Sequence, residues 1–269
     1  MTPQLAANLE ALGRSNPELA RRLCLPVDGS HVRLEEGEPP GYKVHRFFYP
    51  FMAGAVALER SLGHVDGRRD VVLFGVGLGE QLDAVLERVG DHGVIAWDRD
   101  PWLMRLALSR RDYSGLLAEG RLKLALGPDL RDLAGKVGDR QLVTHPFLAA
   151  IYRFEHEVLE KGLGEKCVLL RAGTLFIDDL AAVLADLGYS IYTLDTERLA
   201  REEIEIAVRR FAPSFIAAIN YTGGLAELCH DLGVPLMCWE IDPSTSQVLP
   251  ARTPTARAHV FTYRRSHVD

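Results

Sequence analysis

The chain has 269 residues, 47% of them hydrophobic and 25% charged, an ordinary globular composition with enough length to bury one large core or two modest ones. Its 37 acidic against 31 basic residues give a net charge of −6, and no basic block stands ready to track a phosphate backbone, so nucleic acid is not an expected partner. There is no uncharged apolar run long enough to span a membrane and no apolar h-region in the opening MTPQLAANLEALGR, while Cys24, Cys167, Cys229 and Cys238 show neither C-x-x-C pairing nor zinc spacing; an unsecreted, cytoplasmic protein with free thiols and no metal is expected.

Leu5, Leu9 and Leu12 lie on one helical face, and Asn16-Pro17 restarts a helix through Leu19 and Leu23, with Asn16 as N-cap and Pro17 at its first position. Residues 26–42 carry Asp28-Gly29, an acidic run and Pro39-Pro40, the composition of a hairpin or an irregular extended segment. Phe47, Phe48, Tyr49 and Phe51 form an aromatic cluster that either packs the opening segment onto the next domain or lines a cleft. A helix over 53–62 completes a helical and extended N-terminal segment, 1–65.

The stretch DVVLFGVGLGEQLDAVLERVGDHGVIAWDRDP, residues 70–101, reads as strand, glycine turn, helix, strand and acidic end. Gly75, Gly77 and Gly79 let the backbone turn tightly and let a ligand approach the N–H groups at the helix start. Asp98, about 20 residues on, sits where a carboxylate accepts from ribose hydroxyls. The spacing is G-x-G-x-G, which points more to an S-adenosylmethionine-type loop than to a dinucleotide one; a tight turn that binds nothing is the alternative. A helix over 102–110, a loop at Tyr113-Ser114-Gly115, a strand over 121–126 and a strand over 141–144 come next. The turn Gly127-Pro128-Asp129 makes Asp129 a secondary candidate beside an adenine, or a plain strand exit. His145 is a lone histidine at a strand end. With a helix over 154–163 these elements form a Rossmann-like domain, 66–160.

The remainder, 161–269, repeats the alternation: strands at 167–170, 190–194, 215–219, 235–239 and 260–263, with apolar helical stripes between them. Such alternation implies right-handed crossovers and a parallel sheet, so the fold class is α/β, with two Rossmann-like parallel-sheet domains in tandem. Ligands of such sheets bind beyond the carboxyl ends of the strands. The exits there supply Gly173, Thr174, Asn220 and Tyr221 as substrate-binding candidates. Glu240 and Asp242 are carboxylates suited to a general base or to sugar hydroxyls, or else ordinary loop carboxylates.

Two families are resembled. NLEALGRSNPELARRL, VVLFGVGLGEQLDAVL and VIAWDRDP, within about residues 1–150, resemble the amino-terminal part of the motility accessory factors, bacterial proteins that glycosylate flagellin. GYSIYTLD, APSFIAAINYTGGLAEL, GVPLMCWEIDP and HVFTY, within about 165–265, resemble the amino-terminal Rossmann-like domain of the spore-maturation CgeB-like glycosyltransferases, whose fold is of the GT-B kind. The resemblance implies a nucleotide sugar as donor, bound by a further carboxy-terminal domain, and a protein or glycan acceptor. Three readings stay open: the amino-terminal region of a bacterial glycosyltransferase, not active alone; an S-adenosylmethionine-dependent methyltransferase-like domain; and a non-catalytic module docking a partner through the opening helices and Phe47 to Phe51. Phe74 stands against the second, since such sites commonly carry a carboxylate ahead of the loop.

Overall fold

The computed structural model describes residues 1–33, 41–44, 47–50, 61–172, 176–241 and 257–262, with the backbone alone at 41–44, 47–50 and 223. The chain divides into two compact units, Met1–Gly162 and Leu163–Asp269.

The first unit opens with α1 (Pro3–Ser15) and α2 (Pro17–Arg22). Thr2 caps α1, and the Asn16 side chain accepts the Leu19 N–H at 3.0 Å ahead of Pro17, whose missing N–H is no loss in a first turn. The apolar stripe of Leu12, Leu19 and Leu23 is buried in the unit's own core. Asn8, wholly buried, donates to the Leu108 and Arg111 carbonyls at 2.8 Å and accepts from the Tyr113 N–H at 2.7 Å. A buried amide is tolerated when its groups are bonded in this way.

A small antiparallel sheet comes next, β1 (Val32–Arg33), β2 (Gly41–Val44) and β3 (Phe47–Pro50) in that order. The side chains of the aromatic cluster, and the helix expected over 53–62 apart from its end at Ser61 and Leu62, lie outside the described residues.

The main sheet runs β4 (Val71–Phe74), α3 (Glu80–Val89), β5 (Val94–Asp98), α4 (Pro101–Arg110), α5 (Ser114–Ala118), β6 (Leu122–Leu126), a 3₁₀ turn at Gly127–Asp129, α6 (Leu130–Leu133), β7 (Gln141–Thr144), α7 (Leu148–Ile151) and α8 (Arg153–Lys161). Its strands are parallel in the order β6-β5-β4-β7. Val71 to Phe74 are all buried, as a central strand covered on both faces demands. The loop expected at Tyr113-Ser114-Gly115 is instead the entry to α5: the Asp112 carboxylate accepts the Ser114 N–H at 2.9 Å and Leu117 packs into the core.

The second unit runs β8 (Lys166–Arg171), α9 (Ile177–Asp186), β9 (Tyr189–Leu194), α10 (Arg201–Phe211), β10 (Phe215–Ile219), α11 (Gly223–Leu232), β11 (Leu236–Glu240) and β12 (Ala258–Thr262). The sheet is parallel, in the order β12-β11-β10-β8-β9. The fold is thus α/β, with two parallel sheets of four and five strands preceded by the opening helices.

Each sheet reverses its winding once. After β4 the chain steps out to β5 and β6 and returns on the other side of β4 as β7; after β8 it steps to β9 and returns as β10. A crevice opens outside the carboxyl ends of the strands at such a reversal, and there open α/β sheets bind ligands. Each unit therefore has one place to inspect: the exits of β4 and β7, and the exits of β8 and β10.

Candidate functional site

In the first unit the exit of β4 is the glycine loop. Gly75, Gly77 and Gly79 have φ of +85°, +58° and +100°, the left-handed region where glycine is favoured. A Cβ at Gly77 would stand 2.8 Å from His145 Nε2, and one at Gly75 would stand 2.9 Å from the Cβ atoms of His145 and Leu148. One at Gly79 would stand 3.2 Å from the Tyr113 hydroxyl. The space beside the loop is taken by the chain itself.

Asp98 ends β5 with no exposed surface. Its Oδ2 accepts the N–H groups of Val76 at 2.8 Å and Gly77 at 3.2 Å, and its Oδ1 accepts the Asp100 N–H at 2.9 Å and the Tyr152 hydroxyl at 3.3 Å. Burial pushes this carboxyl from 3.8 to about 7, against the pull of those backbone donors. Instead of facing a ribose, Asp98 faces the glycine loop. Asp129 is engaged as well: Oδ1 pairs with the buried Arg22 guanidinium at 2.7 Å and Oδ2 accepts the Leu126 N–H at 2.9 Å, which ties α2 to the exit of β6 where an adenine-facing group was expected.

Around them lies a buried polar network. His31 pairs with Asp100, whose other oxygen caps α4 by accepting the Trp102 N–H at 2.8 Å. Burial alone would raise the Asp100 carboxyl, yet the hydrogen bond and charge of His31 hold it below the ordinary range. Arg99 lies over the Tyr152 ring at 4.1 Å and pairs with Glu155 at 3.5 Å. His145 Nδ1 accepts the N–H groups of Phe147 and Leu148 at 3.3 Å, and burial pushes its pKa from 6.5 down to about 4, so the ring is neutral at physiological pH.

The second unit's exits are arranged differently. Glu240, the last residue of β11, is 5% exposed, and its Oε2 accepts the Tyr221 N–H at 2.9 Å. Among the described residues its other oxygen has no hydrogen-bond partner. Asn220 turns the chain out of β10 with φ of +61°, a conformation asparagine tolerates, and its Oδ1 accepts the Ile241 N–H at 3.1 Å. The exits of β10 and β11 are thus pinned together by two side chain-to-backbone bonds. Burial pushes the Tyr221 phenol up, keeping it a donor.

Arg171, the last residue of β8, is buried and pairs with Glu197. Cys238 lies close enough to sense both ionic groups: burial pushes its thiol up to about 12, Glu240 adds to the rise and Arg171 opposes it. Trp239, whose side chain alternates to the other face, is 44% exposed, and its ring centroid is 6.4 Å from that of Phe176, itself 52% exposed. Gly173, Thr174 and Asp242 lie outside the described residues.

Three features take a part in the site that the sequence alone does not give them. His145 was visible only as a strand-end histidine; the signal that marks it is that β7 neighbours the glycine strand, and strand order is not written in one sequence. Arg171, which the sequence assigns to a turn with Thr174 after a strand ending at Leu170, is instead the last residue of β8 and presents a charge at the strand exit. The Phe176–Trp239 pair brings together residues from two separate exits.

Among the described residues no group of three or more His, Cys, Asp or Glu side chains is placed to hold a metal, and no helix is long and apolar enough to cross a membrane. No family model matches the chain, and no curated protein does. Among solved structures it is similar to the MAf glycosyltransferase from Magnetospirillum magneticum AMB-1, at 16% identity and a TM-score of 0.36, over 88% of this chain and 53% of that one. The chain spans about half the length of that structure, and a likeness of this size assigns neither activity nor residues.

Proposed function

We propose that the chain is the acceptor-side, amino-terminal region of a nucleotide-sugar-dependent glycosyltransferase acting on a protein or a surface glycan. The observation that carries the reading is Glu240: a buried carboxylate at a strand exit, anchored through one oxygen by the Tyr221 N–H, with the other left to accept. A carboxylate so held suits removal of the proton from an acceptor hydroxyl as that oxygen attacks the anomeric carbon. The glycosidic C–O bond forms, the bond from the sugar to the nucleotide phosphate breaks, and the proton passes to Glu240. Asp242, two residues on in the sequence, is retained as a second candidate carboxylate. Asn220 holds the Ile241 N–H and Tyr221 holds Glu240, while on the other face of β11 the exposed Trp239–Phe176 pair offers ring faces on which the C–H side of a pyranose can lie.

The glycine loop of the first unit, filled by its own side chains, gives no support to S-adenosylmethionine as its ligand, and the donor is assigned to a further domain carboxy-terminal to this chain. The similarity of GVPLMCWEIDP to CgeB-like glycosyltransferases, and of the opening stretches to motility accessory factors, agrees with this reading.

Saturation-transfer NMR of the chain with methyl glycosides of glucose, galactose and N-acetylglucosamine tests it, and a glycan array extends the test. Binding that weakens at least about tenfold in Glu240→Ala is the expected result, from loss of a charge-assisted hydrogen bond. No response to any glycoside or glycan, from a folded chain, would remove the reading.

A second reading has one observation in its favour. Phe176, Val183, Leu187, Trp239 and Phe261 of the second unit are all large apolar side chains with more than a third of their surface exposed. On that reading a docking role would draw on these side chains.

A further inference from the structure

We infer that the glycine loop of the first unit is a latch closed by the protein's own groups, and that this unit takes no adenosyl or dinucleotide ligand at its crevice. A glycine loop ahead of a helix serves such a ligand in two ways: bare N–H groups receive its oxygens, and missing Cβ atoms leave it room. Both provisions are occupied here. The N–H groups of Val76 and Gly77 go to Asp98 Oδ2, at 2.8 and 3.2 Å. The room is filled by His145 beside Gly77, by His145 and Leu148 beside Gly75, and by the Tyr113 hydroxyl beside Gly79.

The occupants are themselves anchored. Asp98 is held from its far side by the Asp100 N–H and the Tyr152 hydroxyl. Tyr152 is wholly buried, with its ring edge-on to Phe74 and Trp97. His145 Nδ1 accepts two backbone N–H groups at the entry to α7. The backbone N–H of His145 donates to the Phe74 carbonyl at 2.8 Å, in register with the β4–β7 ladder. Admitting a ligand would require β7's exit to leave β4 and Asp98 to release two donors at once. What the latch needs from Asp98 is a carboxyl oxygen, which both the ionised and the neutral acid provide. The glycines are thus required by internal close packing. The latch belongs to the first unit alone, and its absence would leave the role given to Glu240 untouched.

The test is a backbone NMR titration of the whole ¹⁵N-labelled chain with S-adenosylmethionine, S-adenosylhomocysteine, NAD, UDP and inorganic phosphate, each to millimolar concentration. The signals of Val76, Gly77 and Gly79 are expected to stay in place; a saturable shift at these amides with any probe would overturn the inference. Hydrogen exchange gives the second arm. Asp98→Ala is expected to speed exchange at Val76 and Gly77 by about tenfold or more, while Asp98→Asn, which keeps an acceptor oxygen, stays near the native rate. Unchanged protection in D98A, or equal loss in both variants, would show that the carboxyl does not close the loop. Should D98A fail to fold, the native titration and the exchange of D98N decide the matter.

Discussion

The two units share a plan and differ in how the exits of their strands are filled. Each is a parallel sheet that reverses its winding once, and each reversal brings two strand exits together. In the first unit the exits meet: glycine loop, Asp98 and His145 satisfy one another, and almost nothing there is exposed. In the second, the exits at the reversal are those of β8 and β10, ending in Arg171 and Asn220; one strand over, at the exit of β11, Glu240 accepts the Tyr221 N–H, and the Phe176–Trp239 pair stands in solvent. The glycine signature that draws the eye in the sequence marks the closed crevice. A fold family's binding position is a location where a ligand can sit, and the local side chains decide whether one does.

The comparison predicts that changes in the first crevice cost stability and changes in the second cost binding. The largest effect is expected from Gly77→Val, which forces a β-branched residue to φ of +58° and a Cβ to 2.8 Å from His145 Nε2. Strain added to overpacking should lower stability in urea unfolding by about 3 kcal/mol or more. A loss below about 1 kcal/mol would mean the crevice is looser than its contacts say.

Glu240→Gln is the counterpart. On the proposed reading, glycoside binding by the chain should weaken by about tenfold, from loss of a charged acceptor, with the unfolding midpoint nearly unchanged. A variant that melts early but binds glycosides normally would reverse the contrast between the units.

The pH dependence of stability sharpens it further. Asp98, raised to about 7 in the folded state, keeps a proton that the unfolded chain releases, so its contribution to stability is greatest near pH 4 and falls as pH rises through 7. His145, lowered to about 4, excludes a proton that the unfolded chain binds, so its contribution falls as pH drops from 6.5 toward 4. The stability of the native chain relative to D98N should therefore shrink as pH rises from about 4 to 7 and level off above it, and relative to His145→Gln should shrink as pH falls from about 6.5 to 4. Urea titrations across that range read both, and parallel curves would contradict the two burials.

The smallest effect lies outside both crevices. Asn16→Ala removes the cap of α2 and should cost about 1 kcal/mol with no change in any ligand response.

Much of the fold was legible because its signals are local. Val71 to Phe74 and Gln141 to Thr144 read as strands from their apolar runs, and Asn16-Pro17 announced a helix start that the Leu19 N–H completes. Tyr113-Ser114-Gly115 misled because its composition is that of a turn, whereas Asp112 supplies a cap and Leu117 a buried anchor that make it a helix. The site was less legible for a related reason. That Asp98 ends a strand is written in the sequence; whether its carboxyl turns outward to a ribose or inward to two N–H groups depends on what fills the space beyond, and that is His145, distant in sequence and adjacent only through strand order. Glu240 was singled out from its position, while its anchoring by Tyr221 depends on the register of β10 with β11.

The placement of β7 beside β4 also carries a consequence for how the protein is made. The glycine loop leaves the ribosome well before His145 does, by on the order of ten seconds at ordinary synthesis rates. During that interval β4 can pair with β5, but its other edge and the Val76 and Gly77 turn have no cover until Gln141–Thr144 arrives. The strand that shuts the crevice is thus the last of its sheet to be made, and the nascent unit passes through a stage in which an apolar strand edge is open to wrong partners.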